Sequence, residues 1–360
     1  MDEKLVEFLR SRGATGEEIA TAEREGMLTL LVIDRLLVPG SPYLDSDSVA
    51  ARSDVPNETA TMLWRALGFP DVPEGSPVFT DESVEVLRAL HTSTESSMFV
   101  DSDAEVLVAQ VRAVGSGLAR VAESMSDQIA EAIVGARLAG ADDATVAGTI
   151  ADTMDWKLLA RMNDYALRVQ LRAAIWRKLL SPPLESGEIP SLAVGFVDLV
   201  GYTAISQELD GTELAALVKR FEAVTYDTVA RLGARLVKTI GDEVMFVTED
   251  PEIALNVAHA LTERTGSDDV LPRARAGLAF GPALAREGDY YGAVVNLAHR
   301  LVEIARPSSS VVSAELAAVL ATRDGFSFHR LRPRKIRGIG RVEIYAARVV
   351  EAEEPAGGTH

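Results

Sequence analysis

Six polar side chains stand at spacings that chemistry could use: Asp198, Lys238, Asp242, Asp289, Asn296 and Arg300. Asp198 ends the apolar run Ala193-Val-Gly-Phe-Val197, and Asp242 closes the stretch Val237-Lys-Thr-Ile-Gly-Asp242. Two carboxylates at adjacent strand ends repel each other, yet both stay ionised around a divalent cation. Such a pair suits two-ion phosphoryl transfer, with one ion activating a hydroxyl and the other neutralising a triphosphate. Singly, each has a plainer reading, Asp198 as the cap of a following turn and Asp242 as a hairpin corner. The run Gly288-Asp289-Tyr-Tyr-Gly292-Ala-Val-Val-Asn296-Leu-Ala-His-Arg300 starts in a turn and continues as a helix, where Asn296 and Arg300 share a face. An amide beside a guanidinium suits a ribose oxygen and a transferring phosphoryl group, because arginine stabilises developing charge without titrating. Asp289, ahead of the helix, can accept from an exocyclic amine.

The elements that must position these groups follow Pro190. Strands are expected at 192–197, 234–240, 243–248, 273–280, 309–312, 326–332 and 342–349, and helices at 211–232, 251–265, 292–304 and 313–321. The opening βαββαβ order is that of a ferredoxin-like unit. Before it, Ser181-Pro-Pro-Leu-Glu-Ser-Gly-Glu-Ile-Pro190 reads as a linker, since its prolines and glycine resist regular structure. The 104–176 region reads as helix almost throughout, broken near Gly140 and between Asp152 and Asp155. Its apolar face, Val114, Leu118, Val121, Met125, Ile129 and Ile133, predicts burial, in a dimer interface or within the domain. Residues 2–36 also read as helices.

Composition narrows the classes. The chain has 360 residues, 47% of them hydrophobic, no cysteine and a formal net charge of −18. Disulfides, thiolate zinc sites and a cysteine nucleophile are excluded. The negative charge opposes non-specific binding to nucleic acid or anionic membrane. The apolar run Met27–Val38 is interrupted by Asp34 and Arg35, and the N-terminal residues have no signal-peptide pattern. A cytoplasmic protein without membrane insertion is expected.

With these motifs in place, residues 191–349 resemble the catalytic domain of class III nucleotidyl cyclases. The resemblance is carried by Phe196-Val-Asp198-Leu-Val-Gly-Tyr-Thr-Ala-Ile-Ser206, Lys238-Thr-Ile-Gly-Asp242, Asp289-Tyr-Tyr-Gly292 and Asn296-Leu-Ala-His-Arg300. It implies that Asp198 and Asp242 hold two Mg or Mn ions per active site, and that Lys238 and Asp289 read adenine. Asn296 and Arg300 would orient ribose and stabilise the transition state. It also implies a homodimer with composite sites, in which Asp198 and Asp242 of one subunit face Lys238, Asp289, Asn296 and Arg300 of the other. A Lys–Asp pair fits ATP, because the ammonium donates to ring N1 and the carboxylate accepts from the 6-amino group; the family's guanylyl enzymes typically carry Glu and Cys there. The expected reaction is therefore conversion of ATP to 3′,5′-cyclic AMP and pyrophosphate. The basic run Arg332-Pro-Arg-Lys-Ile-Arg337-Gly-Ile-Gly-Arg341 matches a triphosphate contact at Arg337, with Lys335 as a rival and a solvated basic turn as the plainer reading.

The implied layout is an all-α regulatory domain at 1–180, a linker at 181–190, an α+β catalytic domain at 191–350 and a flexible tail at 351–360. It resembles soluble actinobacterial cyclases with a helical regulatory half. Residues 44–90 resemble the winged helix-turn-helix of MerR-type regulators, but the helix 57–67 offers Arg65 as its sole basic residue, too few donors for DNA. A helical module kept for protein contacts is the better reading. His299 beside Arg300 and the apolar helices 104–138 suggest two inputs, pH and a small lipid-like ligand; a surface histidine and ordinary core packing are the blander alternatives. The competing functions are a guanylate cyclase and a non-catalytic nucleotide-sensing or transcriptional regulator.

Overall fold

The computed structural model describes residues 2–38, 40, 42–95, 104–180 and 188–350, with the side chains of 93–95 and 104–107 left aside. The predicted tail 351–360 and most of the predicted linker, 181–187, lie outside the described residues. The chain divides into two compact units, Met1–Pro182 and Pro183–His360.

The first unit is helical: α1 (Glu3–Ser11), α2 (Gly16–Glu25), α3 (Leu28–Leu37), α4 (Ser46–Ser53), α5 (Asn57–Ala66), α6 (Asp81–Glu95), α7 (Ala104–Leu138), α8 (Asp143–Thr153) and α9 (Trp156–Leu180). Several starts are fixed by side chains that satisfy orphan N–H groups. Thr15 and Glu18 form a capping box on α2, and Asp45 and Asp142 cap α4 and α8. Two cores result, one of Leu5, Leu9, Ile19, Val32 and Ala147, the other of Val49, Leu63, Leu87 and Val111. Asp143 joins α3 to α8 by accepting from the buried Thr29 hydroxyl at 2.7 Å and from Arg137 at 2.9 Å. The helix 57–67 of the sequence reading is α5, and its Arg65 is held by both carboxylate oxygens of Asp71. The apolar face expected on α7 forms, but Val114 and Leu118 remain 50% exposed within the chain. Further along, Met125, Ile129 and Ile133 of α7 and Val146 and Ile150 of α8 line an apolar groove of about 390 Å³. Among the described residues no helix is long and apolar enough to cross a membrane.

The second unit contains β1 (Ser191–Leu199), α10 (Tyr202–Glu208), α11 (Gly211–Arg231), β2 (Arg235–Ile240), β3 (Glu243–Thr248), α12 (Pro251–Gly266) and β4 (Ala274–Pro282). It continues through β5 (Leu284–Arg286), β6 (Asp289–Tyr291), α13 (Ala293–Ile304), β7 (Ser310–Ser313), α14 (Ala314–Leu320), β8 (Phe326–Arg330), β9 (Arg334–Ile336), β10 (Gly340–Val342) and β11 (Ile344–Val349). Seven strands form one sheet in the order β2-β3-β1-β4-β7-β11-β8, while β5–β6 and β9–β10 are separate hairpins. The expected βαββαβ opening is present. The small helix α10 and both hairpins were absent from the sequence reading, whose last two strands also ran two residues too long.

Both faces of the sheet are covered, so β1 reads as nearly continuous apolar sequence. One face packs Leu217, Phe221, Leu255, Leu261 and Leu316 from α11, α12 and α14. The other receives α13 through Val294, Ala298 and Val302 against Val194, Phe196 and Met245. Gly277 on β4 makes that second contact possible: a Cβ there would lie 2.1 Å from the Val302 nitrogen and 2.5 Å from the Ala298 carbonyl oxygen. Helix and strand therefore touch backbone to backbone, which fixes the position of α13.

Candidate active site

The sheet register brings the two predicted carboxylates together. Asp198, near the end of β1, lies opposite Glu243 of β3 on one side and Arg275 of β4 on the other. Asp242 sits in the β2–β3 turn after Gly241, whose φ of 62° is one that glycine tolerates without strain. Its carbonyl accepts from the Leu199 N–H at 3.2 Å, pinning the turn to the end of β1. Burial, followed by the adjacent Asp198 carboxylate, raises the Asp242 pKa above its ordinary value, and Arg275 opposes the rise.

Arg275 and Glu243 escaped the sequence reading. The Arg275 guanidinium forks onto Asp198 Oδ2, from Nε at 2.8 Å and Nη2 at 2.6 Å, and its Nη1 donates to the Glu303 carbonyl at 3.2 Å. Glu243 is 13% exposed at its side chain and faces His299 Nε2 at 3.4 Å. The His299 ring stands edge-on to Phe196, with centroids 5.3 Å apart. His299 thus has a defined place on α13, between Asn296 and Arg300 in sequence. Desolvation, then repulsion from Asp198, Asp242 and Glu303, pushes the Glu243 carboxyl up to about 7.

That shift has a measurable sign. The folded chain binds the Glu243 proton more tightly than the unfolded chain, so this group's stabilising contribution is complete below pH 4.5 and is lost as pH rises to about 7. In metal-free buffer, Glu243→Gln should stabilise the second unit by about 1–3 kcal/mol at pH 8 and by far less near pH 4.5. Urea unfolding at both pH values measures the difference, and an equal effect at the two would contradict the assignment.

Lys238 and Asp289 meet in a second cluster. A register shift in β2 leaves Val237 as the extra residue between Leu236 and Lys238, and such a bulge re-aims the side chain that follows. The Lys238 ammonium lies 2.5 Å from Asp289 Oδ2, with both side chains about one-third exposed. Asp289 begins β6, after a turn through Glu287 and Gly288, both at positive φ. Its Oδ1 accepts from the Tyr290 N–H at 2.8 Å. Asn296 and Arg300 are exposed on α13, and Arg300 pairs with Glu303 at 2.9 Å. Arg337 is exposed in the turn between β9 and β10, with Lys335 on β9 opposite Arg341.

The donor set suits a hard divalent cation. Asp198 and Asp242 offer carboxylate oxygens, and among the described residues no group of three or more Asp, Glu or His side chains is placed to hold a metal ion by itself. One or two carboxylates with the remaining positions left to phosphate oxygens and water is the usual arrangement for magnesium. The Arg275 fork balances the carboxylate charge by a short internal ion pair.

Sequence comparison fits this arrangement. Residues 2–175 match the family described as adenylate cyclase regulatory domain, and residues 184–348 match the adenylate and guanylate cyclase catalytic domain. An adenylate cyclase of Streptomyces coelicolor is 36% identical over 281 residues, covering 76% of this chain and 71% of the relative. One from Glutamicibacter nicotianae is 29% identical, covering 88% and 81%. A protein named pH-sensitive adenylate cyclase, from Mycobacterium tuberculosis, is 29% identical over 99% of this chain and 90% of its own length. The chain belongs to the adenylate cyclase family, with a regulatory domain of that family followed by its catalytic domain.

Proposed function

We propose that the chain is an adenylate cyclase that converts ATP to 3′,5′-cyclic AMP and pyrophosphate in composite sites of a homodimer. The observation that carries this reading is the separation of its polar groups into two clusters. Asp198 and Asp242 lie together at one sheet end, while Lys238 and Asp289 pair elsewhere on the same subunit. Two subunits arranged head to tail would supply each site with one cluster from each chain.

In that site, Asp198 and Asp242 would hold two Mg or Mn ions, which supply Lewis-acid stabilisation and assist ionisation of the nucleophile. Arg337 or Lys335 adds a cation at the triphosphate. The partner's Lys238 donates to adenine N1 and its Asp289 accepts from the 6-amino group. Asn296 orients the ribose, and Arg300 stabilises charge on the transferring phosphoryl oxygens. The 3′-oxygen forms its bond to the α-phosphorus in line with the breaking bond, the hydroxyl proton passes to solvent or a substrate oxygen, and pyrophosphate leaves. Purified full-length protein with Mg or Mn should form cyclic AMP from ATP, and Asp198→Ala should abolish it. Absence of product from wild type across pH and metal conditions would end this reading.

Residues 1–180 form the regulatory half of the proposal, residues 191–350 the catalytic half and 181–190 the connection between them. Small changes at a dimer interface assemble or separate composite sites, which gives a helical half a direct lever. The α7–α8 groove supports an apolar ligand as one input, and His299 beside Glu243 supports pH as another. Removing residues 1–185 should change the specific activity and pH profile of cyclic AMP formation. Identical activity and profile with and without the segment would leave no regulatory role.

A further inference from the structure

A cleft of about 830 Å³ opens beside β7 and β11, bounded by the C-terminal half of α12 and the loop that follows α13. Its size is that of a small-molecule site. Arg306, Arg332, Arg334 and Arg348 all line it, against Glu263 as the single acidic lining residue. None of the residues assigned above to catalysis contributes to its wall.

These arginines differ from several others of the same unit. Arg220, Arg264, Arg323 and Arg330 of the same unit are each paired with a carboxylate. Arg306, Arg332, Arg334 and Arg348 have no ion pair among the described residues, in a chain whose formal net charge is −18. Four unneutralised guanidinium groups around one concavity repel each other and raise the local positive potential until an anion enters. The adjoining loop is held in an unusual conformation. Ser308 has φ of 55°, uncommon for a residue with a side chain, and is fixed by its N–H to the Ala274 carbonyl at 2.8 Å. The Ser309 hydroxyl donates to the Arg306 carbonyl at 2.7 Å. Loop strain of this kind is kept where the surroundings enforce it.

We propose that this cleft binds an inorganic oligophosphate, a chain of two or three phosphoryl groups. Guanidinium forks match phosphate oxygens in bidentate geometry, and four of them exceed what a single small anion needs. The wall contains no Phe, Tyr or Trp; its aromatic side chains are the imidazoles of His259 and His329, whose N–H groups can donate to phosphate oxygens. Ile304, Leu331 and Ile344 supply its apolar part instead. The site does not depend on the cyclase reading, although pyrophosphate would be at hand if that reading holds.

Calorimetric titration of the full-length protein with pyrophosphate and tripolyphosphate, in EDTA and at low salt, tests the assignment. Binding of one anion per chain is expected, weakening as salt screens the arginines. Arg334→Gln with Arg348→Gln should weaken it by about tenfold or more, as expected for lost charge-assisted hydrogen bonds. Arg334→Lys with Arg348→Lys should retain part of the affinity, which separates lost recognition from lost folding. Asp198→Ala and Lys238→Ala should bind like wild type. Unchanged affinity in the Gln variant, or loss in Asp198→Ala instead, would overturn the proposal. ATP titrated into Lys238→Ala, in which the proposed adenine contact is removed, provides the remaining arm: affinity no greater than that of tripolyphosphate supports recognition of the phosphate chain alone, whereas tenfold tighter binding that is lost in the Gln variant would make the site a nucleotide site. Absence of ATP turnover would leave these binding outcomes unaffected.

Discussion

Mixing two dead variants should restore cyclic AMP synthesis. Asp198→Ala removes a carboxylate from one cluster, and Lys238→Ala removes the ammonium from the other. In the proposed composite homodimer, either variant alone then has two damaged sites. Loss of metal-based charge stabilisation, worth several kcal/mol, corresponds to a fall in kcat of about a thousandfold for Asp198→Ala. In a mixed dimer, one site collects both lesions and the other collects neither. Random assortment of equal amounts gives roughly half mixed dimers, each with one intact site, hence roughly a quarter of wild-type activity. Co-expression with two affinity tags, followed by assay of the doubly purified mixed dimer, removes the parent homodimers and should give roughly half of wild-type activity per dimer. A mixed dimer as inactive as its parents would place both clusters in the same site and remove the head-to-tail arrangement.

Replacing the pair proposed to read the purine should redirect the enzyme. Lys238 and Asp289 face each other at 2.5 Å, so the donor and acceptor proposed to read adenine already stand side by side. The resemblance to class III enzymes assigns Glu and Cys to these positions in guanylyl cyclases. Lys238→Glu with Asp289→Cys should lower kcat/KM for ATP by at least about a hundredfold, because unmatched polar groups at a hydrogen-bonding site are strongly rejected. Preference should pass to GTP. Steady-state rates with both nucleotides decide the matter, and full ATP activity in the double variant would remove these residues from base recognition.

The candidate site was legible where its signal is local. Gly241-Asp242 announces a turn, Asp198 ends an apolar strand, and Asn296 and Arg300 fall one helical turn apart. Arg275 and Glu243 were missed because their importance comes from register: each lies across from Asp198 on a neighbouring strand. Glu243 had one available signal, its position beside Asp242, and Arg275 had its place near the start of a predicted strand. The β5–β6 and β9–β10 hairpins have strands of three residues, too short for a period-two pattern to stand out. On α7 the periodicity located an apolar face but could not name what covers it, and Val114 and Leu118 stay half-exposed within the chain.

Gly277 carries one more consequence. With α13 pressed against β4 where even a Cβ has no room, neither element can slide over the other without breaking the close-packed contact. The helix bearing Asn296 and Arg300 and the strand bearing Arg275 must then travel as one solid piece. If composite sites operate as proposed, control acts on the gap between two nearly incompressible bodies, and the inactive and active states differ in the spacing and tilt of whole subunits. A distance label on α13 paired with one on β4 of the same chain should keep a constant reading through activation, while the corresponding distance between chains changes.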